Sequence, residues 1–175
     1  MTASPIERPQ PGEFLAYYGR YVDLVPAGDV LEILADQNRR TLDLVRSLGE
    51  AKGAFRYAPG KWSIKELIGH LTDAERIFSD RALRFARNDP NDQPGFEEND
   101  YVKSAGFDRA SLADLASGFE TVRQSTLALL KSLDGPSAKR RGKANGAEIS
   151  VRALGYVIAG HELHHMNVLK ERYLS

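Results

Sequence analysis

The sequence predicts an all-α fold built on four long helices, and three observations predict it. Apolar residues recur at steps of three and four through four separate segments. Capping and breaking residues bound those segments: Ser63-x-x-Glu66, Asn88 with Pro90, Gly135-Pro136 and Ser150. No segment keeps the strict alternation of a half-buried strand for more than a few residues. The 175 residues are 42% hydrophobic and 27% charged, the balance of one ordinary globular domain able to bury a core.

Residues 1–11 hold Pro5, Pro9 and Pro11 and read as an extended arm. A short helical piece over Glu13–Val22 follows, with Phe14, Tyr17, Tyr18 and Tyr21 at helical spacing to anchor the arm. The first long helix covers Asp29–Ser47 through Val30, Ile33, Leu34, Leu42 and Val45. The second starts at the Ser63/Glu66 capping box, with Trp62 and Leu67 placed as a hydrophobic staple, and carries Leu67, Leu71, Ala74, Phe78 and Phe85 until Asn88. The third spans Arg109–Leu133, and the fourth runs from an N-cap at Ser150 to Tyr173. Residues 89–108 and 134–149 are expected as long solvated connections.

Composition excludes several functions. Lys and Arg number 24 against 24 Asp and Glu, without the basic excess of a sequence-blind nucleic-acid binder. With no Cys, disulfides, Cys-ligated zinc, iron–sulfur clusters and a protein thiol nucleophile are all ruled out. The longest stretch free of Asp, Glu, Lys and Arg runs only from Ala153 to His161, far short of the ~20 residues of a membrane span. The N-terminus shows no apolar signal region, so the expected compartment is the cytoplasm.

The fourth helix carries the chemistry. Val151, Leu154, Ile158, His161, His165, Val168 and Arg172 form a seam in alternating steps of three and four, and two consecutive seam positions are His. Imidazoles at i and i+4 stand one above the other and can reach one metal ion. A third ligand is available in His70, which shares the inward face of the second helix with Leu67, Ala74 and Ile77. His70, His161 and His165 thus read as a three-histidine site with an open coordination position. At 1.5 Å per residue His70 lies about 10 Å past the Ser63 end of its helix, and His161 and His165 about 12–18 Å before Tyr173. These levels agree only if the second and fourth helices are antiparallel. That requires residues 89–108 to cross the bundle, giving an up-down-down-up order. His164 points about 80° off the metal direction and Glu162 about 80° the other way. Glu162 is a candidate base or acceptor for an imidazole N–H, and Asp73, one turn after His70, is the other acceptor candidate.

His161-Glu162-Leu163-His164-His165 also fits the H-E-x-x-H of zincins, but little chain follows to supply their third ligand, and no mixed sheet is in sight. A di-iron bundle needs a second E-x-x-H, and the position that would hold its Glu is Leu67.

The segments YAPGKWSIKELIGHL (57–71), DAERIF (73–78), PGFEENDYV (94–102), RRGKANG (140–146) and AGHELHH (159–165) resemble the DinB/YfiT-like metalloenzymes over nearly the whole chain. The resemblance implies a four-helix bundle with the same crossover, commonly dimeric, and maps the family's metal triad onto His70, His161 and His165. It implies nickel or zinc as the metal. For the reaction it implies either a metal-activated water or a cosubstrate thiol, since characterised relatives include bacillithiol- and mycothiol-dependent transferases and a maleylpyruvate isomerase. The expected partner is a small-molecule substrate, with no nucleic acid and no membrane. The basic stretch Lys139, Arg140, Arg141 and Lys143 is the nearest sequence feature for the carboxylates of an acidic thiol. The competing class is a non-catalytic dimeric helical module whose metal is structural or incidental.

Overall fold

The computed structural model describes residues 6–175, so the first five residues of the expected arm lie outside the described residues. In chain order the elements are α1 (Ala16–Val22), α2 (Val30–Ser47), α3 (Ile64–Ala86), α4 (Glu98–Ala105), α5 (Leu112–Lys131), α6 (Gly135–Lys139), β1 (Arg141–Ala144), β2 (Ala147–Ser150) and α7 (Val151–Val168). The last helix continues into a π-helical turn over Leu169–Tyr173. Among the described residues no helix is long and apolar enough to cross a membrane.

The long helices begin where their caps dictate. The Asp29 carboxylate accepts from Leu31 N–H, the Ser63 and Glu66 side chains complete a reciprocal capping box, and Ser111 and Ser150 cap α5 and α7. The bundle order follows from contacts between helix ends. Tyr173 donates to the Trp62 carbonyl at 2.9 Å, joining the end of the last helix to the start of α3. At the other end Arg140, which directly precedes the hairpin leading into α7, donates to the Ala86 carbonyl. α3 and α7 are therefore antiparallel. α2 runs parallel to α7, since Gln37 meets Ala159 and Thr41 meets Glu162. α5 opposes α2: Leu34 and Leu130 share one apolar cluster, while Val45 and Leu112 share another. The order is up-down-down-up, as the histidine levels require.

The return connection lies along α3. Gln93 pairs with the hairpin near the α3 C-terminus, and the Phe107 ring packs on Gly69 near its N-terminus, so close that a Cβ at Gly69 would lie 2.4 Å from the ring. Neither long connection is the bare loop expected from sequence. Residues 89–108 contain α4, and residues 134–149 contain α6 and a β-hairpin. The hairpin turn is Asn145-Gly146, with φ of 55° and 74°, the pair of positive angles a type I′ turn needs. Four-residue strands are too short for alternation to register, and the Asn-Gly dipeptide was the available signal.

The core is two apolar clusters separated by a buried polar layer. One holds Val30, Leu34, Phe78, Phe85, Leu130 and Leu154, and the other Leu42, Ile68, Leu71, Phe119 and Leu169. Between them lie Gln37 and Thr41 of α2, His70 and Glu75 of α3, Arg123 of α5, and His161 and Glu162 of α7. α1 closes one side of this layer and touches α7 at Gly160, where a Cβ would sit 1.9 Å from the Tyr21 carbonyl oxygen.

That approach is backbone against backbone and has no side chain to yield. Gly160→Ala should therefore destabilise by about 1–3 kcal/mol, the usual range for overpacking. Gly118→Ala on α5, where a Cβ meets nothing within 4 Å, should stabilise by about 0.5–1 kcal/mol. Urea unfolding of both variants checks the pair, and an unchanged midpoint for Gly160→Ala would contradict the contact.

Candidate metal centre

Local structure on α3 fixes where His70 points. The capping box holds the first turn, the Ser63 hydroxyl donates to Asp108 at 2.5 Å, and Arg56 pairs with both Glu66 and Asp108. Two turns on, His70 is 2% exposed. His161, 6% exposed, and His165 face it from α7. His161 Nε2 lies 3.1 Å from His70 Nε2 and 3.1 Å from His165 Nε2. The three ligand atoms all fall within 4.8 Å of one another.

Hydrogen bonding alone does not satisfy this cluster. A neutral imidazole nitrogen either donates one proton or accepts at one lone pair, so His161 Nε2 cannot serve two ring nitrogens at once. A shared cation resolves the conflict. Zinc–nitrogen bonds of about 2.0–2.1 Å in a tetrahedral site separate ligand nitrogens by about 3.3 Å, close to the observed edges. The protonation state fits too. Burial pushes His70 down to about 4 and His165 down to about 3, and burial together with the neighbouring imidazoles holds His161 well below its usual range. All three are neutral near pH 7, the form that ligates metal.

Aromatic rings wall the cluster. Trp62, whose carbonyl accepts from Tyr173, lies with its ring centroid 4.7 Å from His70 and stacks on His165 at 6.3 Å. Tyr21 and Phe78 meet His161 edge-on at 5.3 and 5.9 Å. His164 sits outside the trio, against Tyr21 at 5.7 Å, as its angle on the helix predicts. One side of the cluster faces a cavity of about 370 Å³ lined by both His70 and His161, by tyrosines of α1, and by Arg81, Phe96 and Glu98.

The carboxylates differ from the sequence expectation. Glu162 is turned to the other side of α7, where Thr41 donates to one oxygen at 2.6 Å and Arg123 to the other at 2.7 Å. Asp73 pairs with Arg76 at 2.9 Å. Neither is placed as a base or as an imidazole acceptor, because each is already held by an arginine or hydroxyl on its own side of the helix. The carboxylate that does approach is Glu98, in the first turn of α4, with Oε2 3.8 Å from His70 Nε2. Its side chain is about half exposed, and partial desolvation, with Glu97 beside it, raises its pKa from the ordinary carboxylate value. Sequence reasoning passed over Glu98 because it is one of several acids in a segment read as a solvated connection. Three of the four basic side chains also go elsewhere: Lys139 meets Glu7, Arg140 the Ala86 carbonyl and Arg141 the Gly12 carbonyl.

Fold and site together define a class: a crossover four-helix bundle that gathers three histidines from two antiparallel helices, two of them lining one cavity. The chain belongs to the DinB superfamily, whose pattern matches residues 33–169. Its fold is shared with YfiT from Bacillus subtilis, described as a probable metal-dependent hydrolase with an unusual four-helix bundle topology. The two superpose with a TM-score of 0.64 over 97% of this chain and 95% of that one, at 18% sequence identity. No curated protein matches the sequence.

The lowered histidine pKa values carry a sign. Between about pH 6.5 and 4 the unfolded chain binds protons that the folded, metal-free protein does not, so stability is full above pH 6.5 and drains as the pH falls. At pH 5 the loss should be about 1–2 kcal/mol per imidazole relative to pH 7. Urea titrations of the metal-free protein at the two pH values measure it, and His70→Gln should reduce the difference. An equal difference in that variant would contradict burial as the cause.

Proposed function

We propose that this protein is a divalent-metal-dependent enzyme of the hydrolase type. The observation that carries the reading is the convergence of three neutral imidazole nitrogens, 3.1 Å apart along two edges, beside a cavity. His70, His161 and His165 would hold the ion, with zinc and nickel both suited to three nitrogen donors. Bound there, the metal supplies Lewis-acid chemistry: it polarises a carbonyl and makes a water acidic near neutral pH. The likeness to YfiT supports the hydrolase reading through the activity ascribed to that protein.

The chain's own residues do the rest. Glu98 takes the proton from the attacking water, and its raised pKa brings it nearer the operating pH of a general base. Trp62, Tyr21 and Phe78 exclude bulk water from the imidazoles, which keeps them neutral and strengthens electrostatic interactions inside the site. A carboxylate at this position favours water over thiol as nucleophile. It serves a water's proton, whereas it repels the thiolate of an acidic cosubstrate.

Elemental analysis of four variants tests the ligands: His70→Ala, His161→Ala and His165→Ala should each lose stoichiometric metal, and His164→Ala should keep it. Glu98→Gln should retain metal yet lower kcat toward activated esters by about 10²-fold, the usual weight of a general base. Retained metal in any of the first three variants would overturn the site. A sulfur-to-metal charge-transfer band with small thiols on the cobalt-loaded protein, without ester hydrolysis, would replace the hydrolase by a thiol transferase. Full metal with neither activity would favour the non-catalytic module.

A further inference from the structure

Among the described residues four cations are buried: Lys65, Arg81, Arg123 and Arg152. Three of them have carboxylate partners. Lys65 meets Glu50, Arg123 meets Glu75 and Glu162, and Arg152 meets Glu13 and Glu7. Arg81 is the exception. It is 4% exposed, yet its partners are neutral: Nη2 donates to the Pro94 carbonyl at 2.6 Å, the Tyr18 hydroxyl lies beside it, and its Cζ stands 5.9 Å from the Phe78 ring. Among the described residues no carboxylate comes within 4.0 Å of its guanidinium. The nearest acid in sequence, Asp80, is committed to Arg84 at 2.8 Å.

A buried charge without a counter-ion costs several kcal/mol, and folded proteins pair such charges or use them. Arg81 lines the same cavity as His70 and His161. On α3, His70 and Arg81 stand three helical turns apart on one face, with Phe78 between them, roughly 16 Å along the axis between their Cα atoms. The Arg81 side chain leans back toward the helix N-terminus, which shortens the gap between guanidinium and imidazole. Tyr18, Tyr21, Phe78 and Phe96 line the space with flat rings.

We propose that Arg81 is the anchor for the carboxylate of a small substrate whose flat, apolar body lies against these rings and whose reacting bond lies at the histidines. The proposal rests on the hydrolase reading for what happens at the histidine end, but the anion site stands on Arg81 and the cavity alone. A guanidinium takes a planar carboxylate through two parallel hydrogen bonds, with geometric selectivity that a neutral group does not supply. Substrate class follows: an aryl or arylalkyl carboxylate bearing an ester or amide at its far end.

The test separates the two readings. Isothermal titration calorimetry on the metal-free full chain uses 3-phenylpropionate and its uncharged amide as probes, so that no metal can take the carboxylate. The acid should bind at least tenfold tighter than the amide, and Arg81→Gln should erase that preference while leaving the amide unchanged. In the unaltered protein the Arg81 Nε resonance should shift as the acid is added, a readout that needs no variant. Equal binding of acid and amide, or an unmoved Arg81 resonance, would overturn the proposal whatever the metal content. Carboxylate preference in a protein that binds no metal would keep Arg81 as an anion site and remove the hydrolase instead.

Discussion

One buried guanidinium ties the four long helices together. Arg123 of α5, with 0% of its side chain exposed, donates to both oxygens of Glu75 on α3, to Glu162 on α7 and to the Leu34 carbonyl on α2. Thr41 of α2 completes the shell by donating to the second Glu162 oxygen. Burial opposes the charge, but Glu162 and Glu75 outweigh it and hold the Arg123 pKa above its usual value. Losing the guanidinium would strand two buried carboxylates, a loss of about 3–5 kcal/mol for a broken buried pair. Leucines could fill the same space, but apolar contacts slide and rotate at little cost. Five directed hydrogen bonds do not.

The metal centre depends on that register. Glu162 is the residue after His161, and Glu75 lies a little over one turn beyond His70. Rotation of α3 or α7 that moved either histidine would also pull a carboxylate from Arg123. The polar layer thus has two halves with opposite electrostatics. One is held by ion pairs and hydrogen bonds around Arg123, and the other is a set of neutral imidazoles kept so by burial and by aromatic walls. The half paired to Arg123 holds the geometry that the imidazole half uses. α1 then seals the side of the layer, which explains why Gly160 has no room for a side chain.

The scaffold supplies the histidines, and the long connections supply what faces them. Crossing the bundle brings residues 89–108 back along α3, so that α4 sets Glu98 3.8 Å from His70 and Pro94 caps Arg81. The β-hairpin adds Ala144 and Asn145 to the same cavity and is stitched to the crossover at Gln93. Placing variable loop residues over a rigid ligand set lets a bundle change substrate without disturbing its metal.

The sequence by itself determined the parts that depend on periodicity and local hydrogen bonding. The starts of the second and fourth long helices were legible because Ser63 and Ser150 satisfy backbone donors within one turn, whereas the third, expected from Arg109, begins only after its Ser111 cap. The convergence of His70, His161 and His165, and with it the crossover, was legible because a seam position and a rise per residue place a side chain without knowledge of the partner helix. Only the tertiary structure decided what each charged group does. Glu162 and Asp73 stood at plausible angles for the metal, but Arg123 and Arg76 claim them, and those partners come from packing that no helical wheel encodes. Glu98 and Arg81 carry no local signal at all. The first is one acid among several, and the second is one arginine of an amphipathic helix. Their meaning arises only in the folded chain, where the crossover sets the half-exposed Glu98 next to an imidazole and covers Arg81 without bringing it a counter-ion.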